Sequence, residues 1–287
     1  MKNLIYFFEF LIIIILFIIF RIIGYKAASN LGFFIGKTFG PIFRSKSTII
    51  KNIKNLKSSI DDKEIDKIIS NMWGNYGRIL AEYPFIPSFR KKKLENYLEI
   101  EGIENLKRIK DIKKPCIFIS GHFNNFELMA MIIEREGIEL SAVYRPLNNK
   151  FLNLIMEHLR KKYICKNQIK KGLRGVKEAL SYFKNGKSLA IMIDQRVSEG
   201  IESKFFGINA YTTTIPAQFV KKFGCIIQPV YIQRVNKINF KVLFDDHLNF
   251  DKNENIETIT EKLNIWLEKK IMRSPDQWIW THIRCKP

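Results

Sequence analysis

The sequence predicts an α/β protein, a mostly parallel sheet flanked by helices and carried behind an N-terminal membrane-anchoring helix. Three observations lead there. An apolar run from Leu4 to Phe20, interrupted only by Glu9, approaches the ~20 residues that cross a bilayer. From Leu98 onward, short apolar runs alternate with longer segments of helical period, the pattern of parallel strands covered by crossover helices. Polar, chemically able residues stand just beyond several of those runs, where open α/β sheets place their sites.

Length and composition bound the reading. A chain of 287 residues suits one large domain or two small ones. Hydrophobic content of 46% and aromatic content of 13% exclude a disordered chain. The formal charge of +20 implies attraction to something acidic: nucleic acid, anionic lipid, a phosphorylated substrate or an acidic protein. Cys116, Cys165, Cys225 and Cys285 lie far apart, with no metal-ligand or redox spacing, as in a reducing compartment.

In order, residues 1–24 read as an anchor and residues 25–287 as one domain. The segment Lys26-Ala27-Ala28 is a poor cleavage site, which argues for a retained helix over a secretory signal. Arg21, Lys26, Lys37, Arg44, Lys46 and Lys51 follow it, and this positive flank predicts a cytoplasmic body. Spanning and lying tilted in one leaflet are both open, because Glu9 opposes full insertion. The stretch from Gly32 to Phe43 is rich in phenylalanine and is expected to hug the membrane surface or the body. Ile65, Ile68, Ile69, Met72, Trp73, Tyr76, Ile79 and Leu80 recur at helical steps, with Asp61 or Asp62 as cap and Pro84 as terminator.

Strands are expected at 98–100, 116–120, 140–144, 188–194, 226–232 and 240–244, with helices at 103–109, 125–136, 151–162, 174–184, 214–223 and 256–273. Gly137, the pair Asn185-Gly186, and Gly224 close three of these helices.

The chemistry gathers at strand ends. The stretch SGHFNNFELM places His122 directly behind one apolar run, with Glu127 five residues on. A histidine takes a proton near neutral pH, and a neighbouring carboxylate fixes its tautomer. The expected pair is therefore His122 as general base and Glu127 as its orienting partner. Five helical residues rotate by roughly 140°, so the pair meets only if His122 precedes the helix; otherwise it is a helix-start histidine beside an exposed acid. A second run ends in Tyr144-Arg145 and a third in Asp194-Gln195-Arg196. An arginine there can hold a phosphate or a developing oxyanion, or pair structurally with Asp194. Phe205 and Phe206 can line an acyl groove or pack in the core.

GHFNNFELM, VYRPLNN, IMIDQR, KFFGINAYTTTIPAQ and PDQWIWTHIR, in this order and spacing, resemble the lipid A biosynthesis acyltransferases, the lauroyl and myristoyl transferases within the lysophospholipid-acyltransferase-like superfamily. The likeness covers nearly the whole chain. It implies a glycerolipid-acyltransferase-like fold and residues 25–287 as an acyltransferase domain at the cytoplasmic face of the inner membrane. It also implies an acyl-carrier-protein thioester as donor and a Kdo-bearing, phosphorylated glucosamine lipid as acceptor, with no cofactor and no metal. The family's histidine–acid pair falls on His122 and Glu127, where many relatives have Asp in place of Glu127. Its arginine falls on Arg145 and its Asp-Gln pair on Asp194 and Gln195; Asn125 and Arg196 are expected beside substrate. Lys161, Lys162, Lys166, Lys170, Lys171 and Arg174 are candidates for the surface that meets the acidic carrier and lipid. No nucleic-acid partner is expected. Two rivals stand beside this reading: the same chemistry on a lysophospholipid, ornithine lipid or glycolipid, and a non-catalytic basic protein that binds anionic lipid or nucleic acid.

Overall fold

In the computed structural model, which describes residues 2–56, 60–251, 253–282 and 284, helix α1 (Lys2–Ile23) is apolar all round and presents most of its surface outward. Ile5, Phe8, Ile12, Ile15, Ile18 and Ile22 are exposed, whereas Phe17 and Phe20 are buried against the body. The one acid of the run stays exposed but is tied to the body: Asn149 donates to Glu9 Oε2 at 3.1 Å and to the Tyr6 carbonyl at 2.7 Å. At the other end Arg21 donates to Ser88 Oγ at 3.2 Å. The helix is thus pinned near both ends to the body.

Gly24, at φ 80°, turns the chain into α2 (Tyr25–Phe39). Helix α2 packs on α4 (Asp62–Glu82), with α3 (Lys46–Leu56) between them in sequence. Glycines set the closeness of α2 and α4. A Cβ on Gly36 would lie 2.2 Å from the Trp73 carbonyl oxygen, and one on Gly77 would lie 1.9 Å from that of Gly32. Only hydrogen fits at such an approach. Asp61 caps α4, accepting from the Glu64 N–H at 2.6 Å, and Pro84 follows its last turn. A short α5 (Ile86–Arg90) leads into the sheet.

The remaining elements alternate. Strand β1 (Leu98–Glu101) is followed by α6 (Ile103–Ile112), β2 (Ile117–Ser120), α7 (Glu127–Arg135), β3 (Leu140–Tyr144) and α8 (Lys150–Leu159). Then come β4 (Asn167–Lys170), α9 (Leu173–Lys184), β5 (Ser188–Met192), a hairpin of β6 (Ile201–Phe205) and β7 (Ile208–Thr212), α10 (Ile215–Phe223), β8 (Ile227–Val235), β9 (Asn239–Phe244) and α11 (Ile256–Arg273). The main sheet runs β1-β9-β8-β2-β5-β3-β4. Strands β8, β2, β5, β3 and β4 are parallel, and β9 with β1 runs against them.

Right-handed crossovers decide which face each helix covers. The steps β2→β3 and β3→β4 move toward the β4 edge, so α7 and α8 share one face. The steps β4→β5 and β5→β8 move back, so α9 and α10 share the other. Phe183 of α9 stacks edge-on against Phe219 of α10, with ring centroids 5.0 Å apart.

The expected fold class holds, with additions. β4 is an edge strand with only Ile169 buried, too polar to read as a strand. The hairpin turns at Phe206 (φ 51°) and Gly207 (φ 75°), pairing 201–205 with 208–212 where no strand is expected. Helix α8 stops at Leu159 and continues as a π-helical turn, Arg160–Ile164. Cys116 and Cys165 are buried free thiols and Cys225 is half-buried; Cys285 lies outside the described residues.

Candidate active site

Strands β2 and β5 pair with Ser120 opposite Met192. His122 and Asp194 each lie two residues beyond those partners, so the register keeps them level. His122 Nδ1 stands 2.8 Å from Asp194 Oδ1, and the His122 backbone N–H donates to Oδ2 at 2.7 Å. The Trp278 indole N–H donates to the same Oδ2 at 2.9 Å. With three donors on one buried carboxylate, Asp194 is held ionised. Burial would raise its pKa, but the positive charge of His122 and these hydrogen bonds outweigh burial and bring it down to about 2.

Burial also opposes the charged form of His122, yet the carboxylate of Asp194 overcomes it, with a smaller contribution from Glu127, and the His122 pKa is raised. An ionised Asp194 accepts a hydrogen bond from Nδ1–H, which leaves Nε2 with a free lone pair in the neutral ring. Phe126 packs edge-on to the imidazole at 4.9 Å. The side chain of His122 is 18% exposed, that of Asp194 1%. The base can therefore reach substrate while its partner stays dry.

The expected orienting contact between Glu127 and His122 is absent. Glu127 accepts from the Tyr83 hydroxyl at 2.8 Å and from Arg160 Nε and Nη2 at 2.7 and 2.6 Å. The cause is local geometry: residues 122–126 form a non-helical turn with Asn124 at φ 41°, and α7 begins only at Glu127. A guanidinium at the π-helical turn then captures the carboxylate, two of its nitrogens and the Tyr83 hydroxyl converging on the one oxygen Oε1.

The other expected site residues are distributed as follows. Asn125 is fully buried, its amide 3.3 Å from Glu82 Oε2. Glu82, itself 0% exposed, is gripped by both terminal nitrogens of Arg234 at 2.6 and 3.0 Å, so Asn125 belongs to a buried scaffold under the site. Arg145 is exposed in the loop after β3, and Asp194 is engaged by His122 and Trp278 and not by Arg145. Gln195 lies 3.3 Å from His282 Nε2. Burial first, then the positive charges of His122, Arg44 and Arg145, keep the His282 pKa low. Arg44 lines the same groove mouth as His282. Arg196 sits over the Tyr211 ring at 5.3 Å. Among the described residues no cluster of three or more His, Cys, Asp or Glu could hold a metal.

The closing motif is the part sequence reasoning left without a role. Phe123 forms a β-bridge with Trp278, Asn124 N–H donates to the Gln277 carbonyl at 3.1 Å, and Asn75 donates to the Asp276 carbonyl at 3.1 Å. The segment ties the post-β2 turn to α4 and aims Trp278 at Asp194. A cavity of about 80 Å³ lies over His122, lined by Met72, Tyr76, Phe126 and Ile279 among others. Tyr76 also borders a larger apolar groove of about 600 Å³ between α2 and α4, walled by Ile35, Phe39, Phe43, Trp73 and Leu80, with Arg44 and His282 at its polar end. Phe205, a candidate for such a groove, is instead fully buried beside Trp278.

The model of the family described as bacterial lipid A biosynthesis acyltransferase matches residues 1–287. A lipid A biosynthesis palmitoleoyltransferase of Escherichia coli K12 is 23% identical over 270 residues, covering 91% of this chain and 86% of its own. The lipid A biosynthesis lauroyltransferase of the same strain is 20% identical over 91% and 86% of the two chains. A lipid A biosynthesis acyltransferase of Haemophilus influenzae is 20% identical over 94% and 84%. With its full length matched and its strand-end histidine beside an apolar groove, the chain belongs to the bacterial lipid A biosynthesis acyltransferase family.

Proposed function

We propose that the protein transfers a fatty acyl chain from an acyl-carrier-protein thioester to a hydroxyl of the Kdo-bearing lipid A precursor, with His122 as general base. The observation that carries this is the level, buried His122–Asp194 pair opening beside an apolar groove. Asp194 accepts the hydrogen bond of the Nδ1–H and holds the proton on Nδ1, so Nε2 removes the proton of a 3-hydroxyacyl hydroxyl on the acceptor. The resulting alkoxide attacks the thioester carbonyl, and Arg145 or a backbone N–H at the start of α7 stabilises the tetrahedral oxyanion. Collapse expels the thiolate, which takes the proton from the imidazolium, and an ester is left on the acceptor. Glu127, clamped by Arg160 and Tyr83, supports the wall behind the histidine and adds negative potential. The groove along Trp73, Tyr76 and Leu80 holds an acyl chain, and the Arg44 and His282 end faces the anionic head. Gln195 positions His282 at that mouth.

The apolar outer faces of α1 and of the α2 end, where Phe34, Phe39, Ile42 and Phe43 are exposed, fit membrane association, as does family membership. The basic flank after α1 supports the inner membrane, with residues 25–287 as the catalytic domain facing the cytoplasm. The same site chemistry also suits another hydroxylated lipid acceptor, which the test must separate. Membranes carrying the protein are given the tetra-acyl, Kdo-bearing precursor with lauroyl- or myristoyl-carrier protein, and products are read by mass spectrometry. A gain of one acyl mass, absent with His122→Ala, is expected. No gain with either donor, or a gain that survives His122→Ala, overturns the proposal.

A further inference from the structure

Across the sheet from α7 and α8, the start of α9 carries a surface that the reaction does not use. Leu173 is 84% exposed and Val176 is also exposed. Helix α9 buries its opposite side through Gly175, Ala179 and Phe183, so the two apolar side chains are not left over from the core. Lys170, Lys171, Arg174 and Lys177 surround them, all exposed. The first turn of α9 contains no acid, so cations crowd the positive end of a helix dipole, where anions are the stabilising neighbours. Among the described residues, Lys170 is the one of these four in an ion pair, with Glu157 at 3.7 Å.

The patch is joined to the cleft. The Lys171 backbone N–H donates to the carbonyl of Tyr144 at 2.8 Å, and Tyr144 immediately precedes Arg145. Strand β4 stands three strand spacings from β2 in the sheet order, about 14 Å, which suits a donor tethered to a flexible arm. The membrane-facing helices offer no rival claim, since α1 lies against α8 and the α4–α5 connection and α9 lies with α10 on the far face of the sheet.

We infer that this patch, Leu173 and Val176 ringed by Lys170, Lys171, Arg174 and Lys177, is the docking surface for an acidic carrier protein that delivers the acyl thioester. The inference rests on the carrier-thioester reading and adds where the carrier binds. An acidic helix meets the basic ring and lays one apolar side chain on Leu173, a small apolar centre inside a charged rim.

The test compares the full chain with the double variant L173E/K177E and with L173A; both positions are exposed, so neither change removes core packing. Fluorescence anisotropy with labelled apo acyl carrier protein reads binding without chemistry, and initial rates with acyl-carrier thioester separate KM from kcat. For L173E/K177E a roughly tenfold or greater loss of carrier affinity is expected, with a matching rise in KM and unchanged kcat; L173A should show a smaller loss. Wild-type affinity should drop as salt rises through the range where the Debye length shortens. Unchanged carrier affinity in the double variant, or a fall in kcat without a rise in KM, overturns the inference. So does a double variant that loses sedimentation with phosphatidylglycerol vesicles while keeping its carrier affinity, because the patch would then face lipid. A wild-type chain that binds carrier at this patch but takes no acyl group from it keeps the docking surface and sinks the donor reading alone.

Discussion

Asp194→Asn is the sharpest perturbation of the site. In the wild type one carboxylate accepts from His122 Nδ1, the His122 N–H and the Trp278 indole. Asparagine keeps the shape and loses the charge. Its single carbonyl oxygen stays with the His122 backbone N–H and the indole, on the side that Oδ2 now occupies. The amide NH₂ then faces Nδ1 and donates to it, so the ring proton moves to Nε2, the atom meant to act as base. A wrong tautomer in a comparable histidine–carboxylate pair costs about 10⁴-fold in kcat, roughly 5.4 kcal/mol of transition-state stabilisation. A loss of about 10³–10⁴ in kcat/KM is expected here on the same grounds.

The pH profile makes the test specific. Because Asp194 raises the His122 pKa, the acid limb of wild-type kcat/KM should have its midpoint above 6.5, the ordinary histidine value. In the residual activity of Asp194→Asn the limb should move to lower pH. The assay is acyl transfer to the lipid precursor from pH 5 to 9, with circular dichroism to confirm the fold. Activity within about threefold of wild type together with an unmoved acid limb would refute the argument and return the orienting role to Glu127.

Other perturbations follow from the same structure. Arg160→Met leaves Glu127 buried with only the Tyr83 hydroxyl, and breaking such a pair should cost about 3–5 kcal/mol of stability, read from a thermal melt; Arg160→Lys should not restore it, because one ammonium cannot replace the two-nitrogen grip. Gly77→Ala drives a methyl into the Gly32 carbonyl and should destabilise by about 1–3 kcal/mol, with unchanged membrane association in a sedimentation assay. Leu80→Trp narrows the groove between α2 and α4 and should shift donor preference to shorter chains by tenfold or more, as pockets that sense methylenes do, measured with paired lauroyl and myristoyl donors. Finally, the folded His122 pKa is raised and that of Asp194 lowered. Their mutual stabilisation is therefore present in the window between the two shifts, lost on the acid side as pH falls from 3.8 through about 2 and on the basic side as pH rises above 6.5. The melting difference between wild type and Asp194→Asn should be larger at pH 5.5 than at pH 9.

Much of the architecture was legible because apolar periodicity reports what a strand or helix must bury. The α4 helix, from its Asp61 cap to the Pro84 stop, was readable residue by residue, and so was the parallel core from β2 to β8. What escaped was whatever depends on partners distant in sequence. The strand-end rule gathered His122 and Asp194 into one crevice, but spacing along the chain nominated Glu127 as the orienting acid. Strand register, 72 residues away, nominated Asp194. Arg160 gave no sequence signal, sitting among lysines at a helix end, and its role appears only where the π-helical turn swings it onto Glu127. The glycines of α2 carried no reading of their own within an aromatic stretch, since their reason lies in α4. Trp278 could have been found from the oddity of two tryptophans in a polar closing motif, a sign that the segment packs inward.

The Trp278 clamp also bears on the enzyme's birth. His122 leaves the ribosome 156 residues before Trp278, about 8–30 s at ordinary elongation rates. During that interval α1 has already been made, yet the indole that holds Asp194 has not. Asp194 thus lacks one of its three donors until the closing segment folds back beyond the carboxyl end of β2. Ribosome-stalled chains ending before residue 274 should therefore be membrane-bound and inactive, with activity returning when a peptide extending through Trp278 is completed in the same chain.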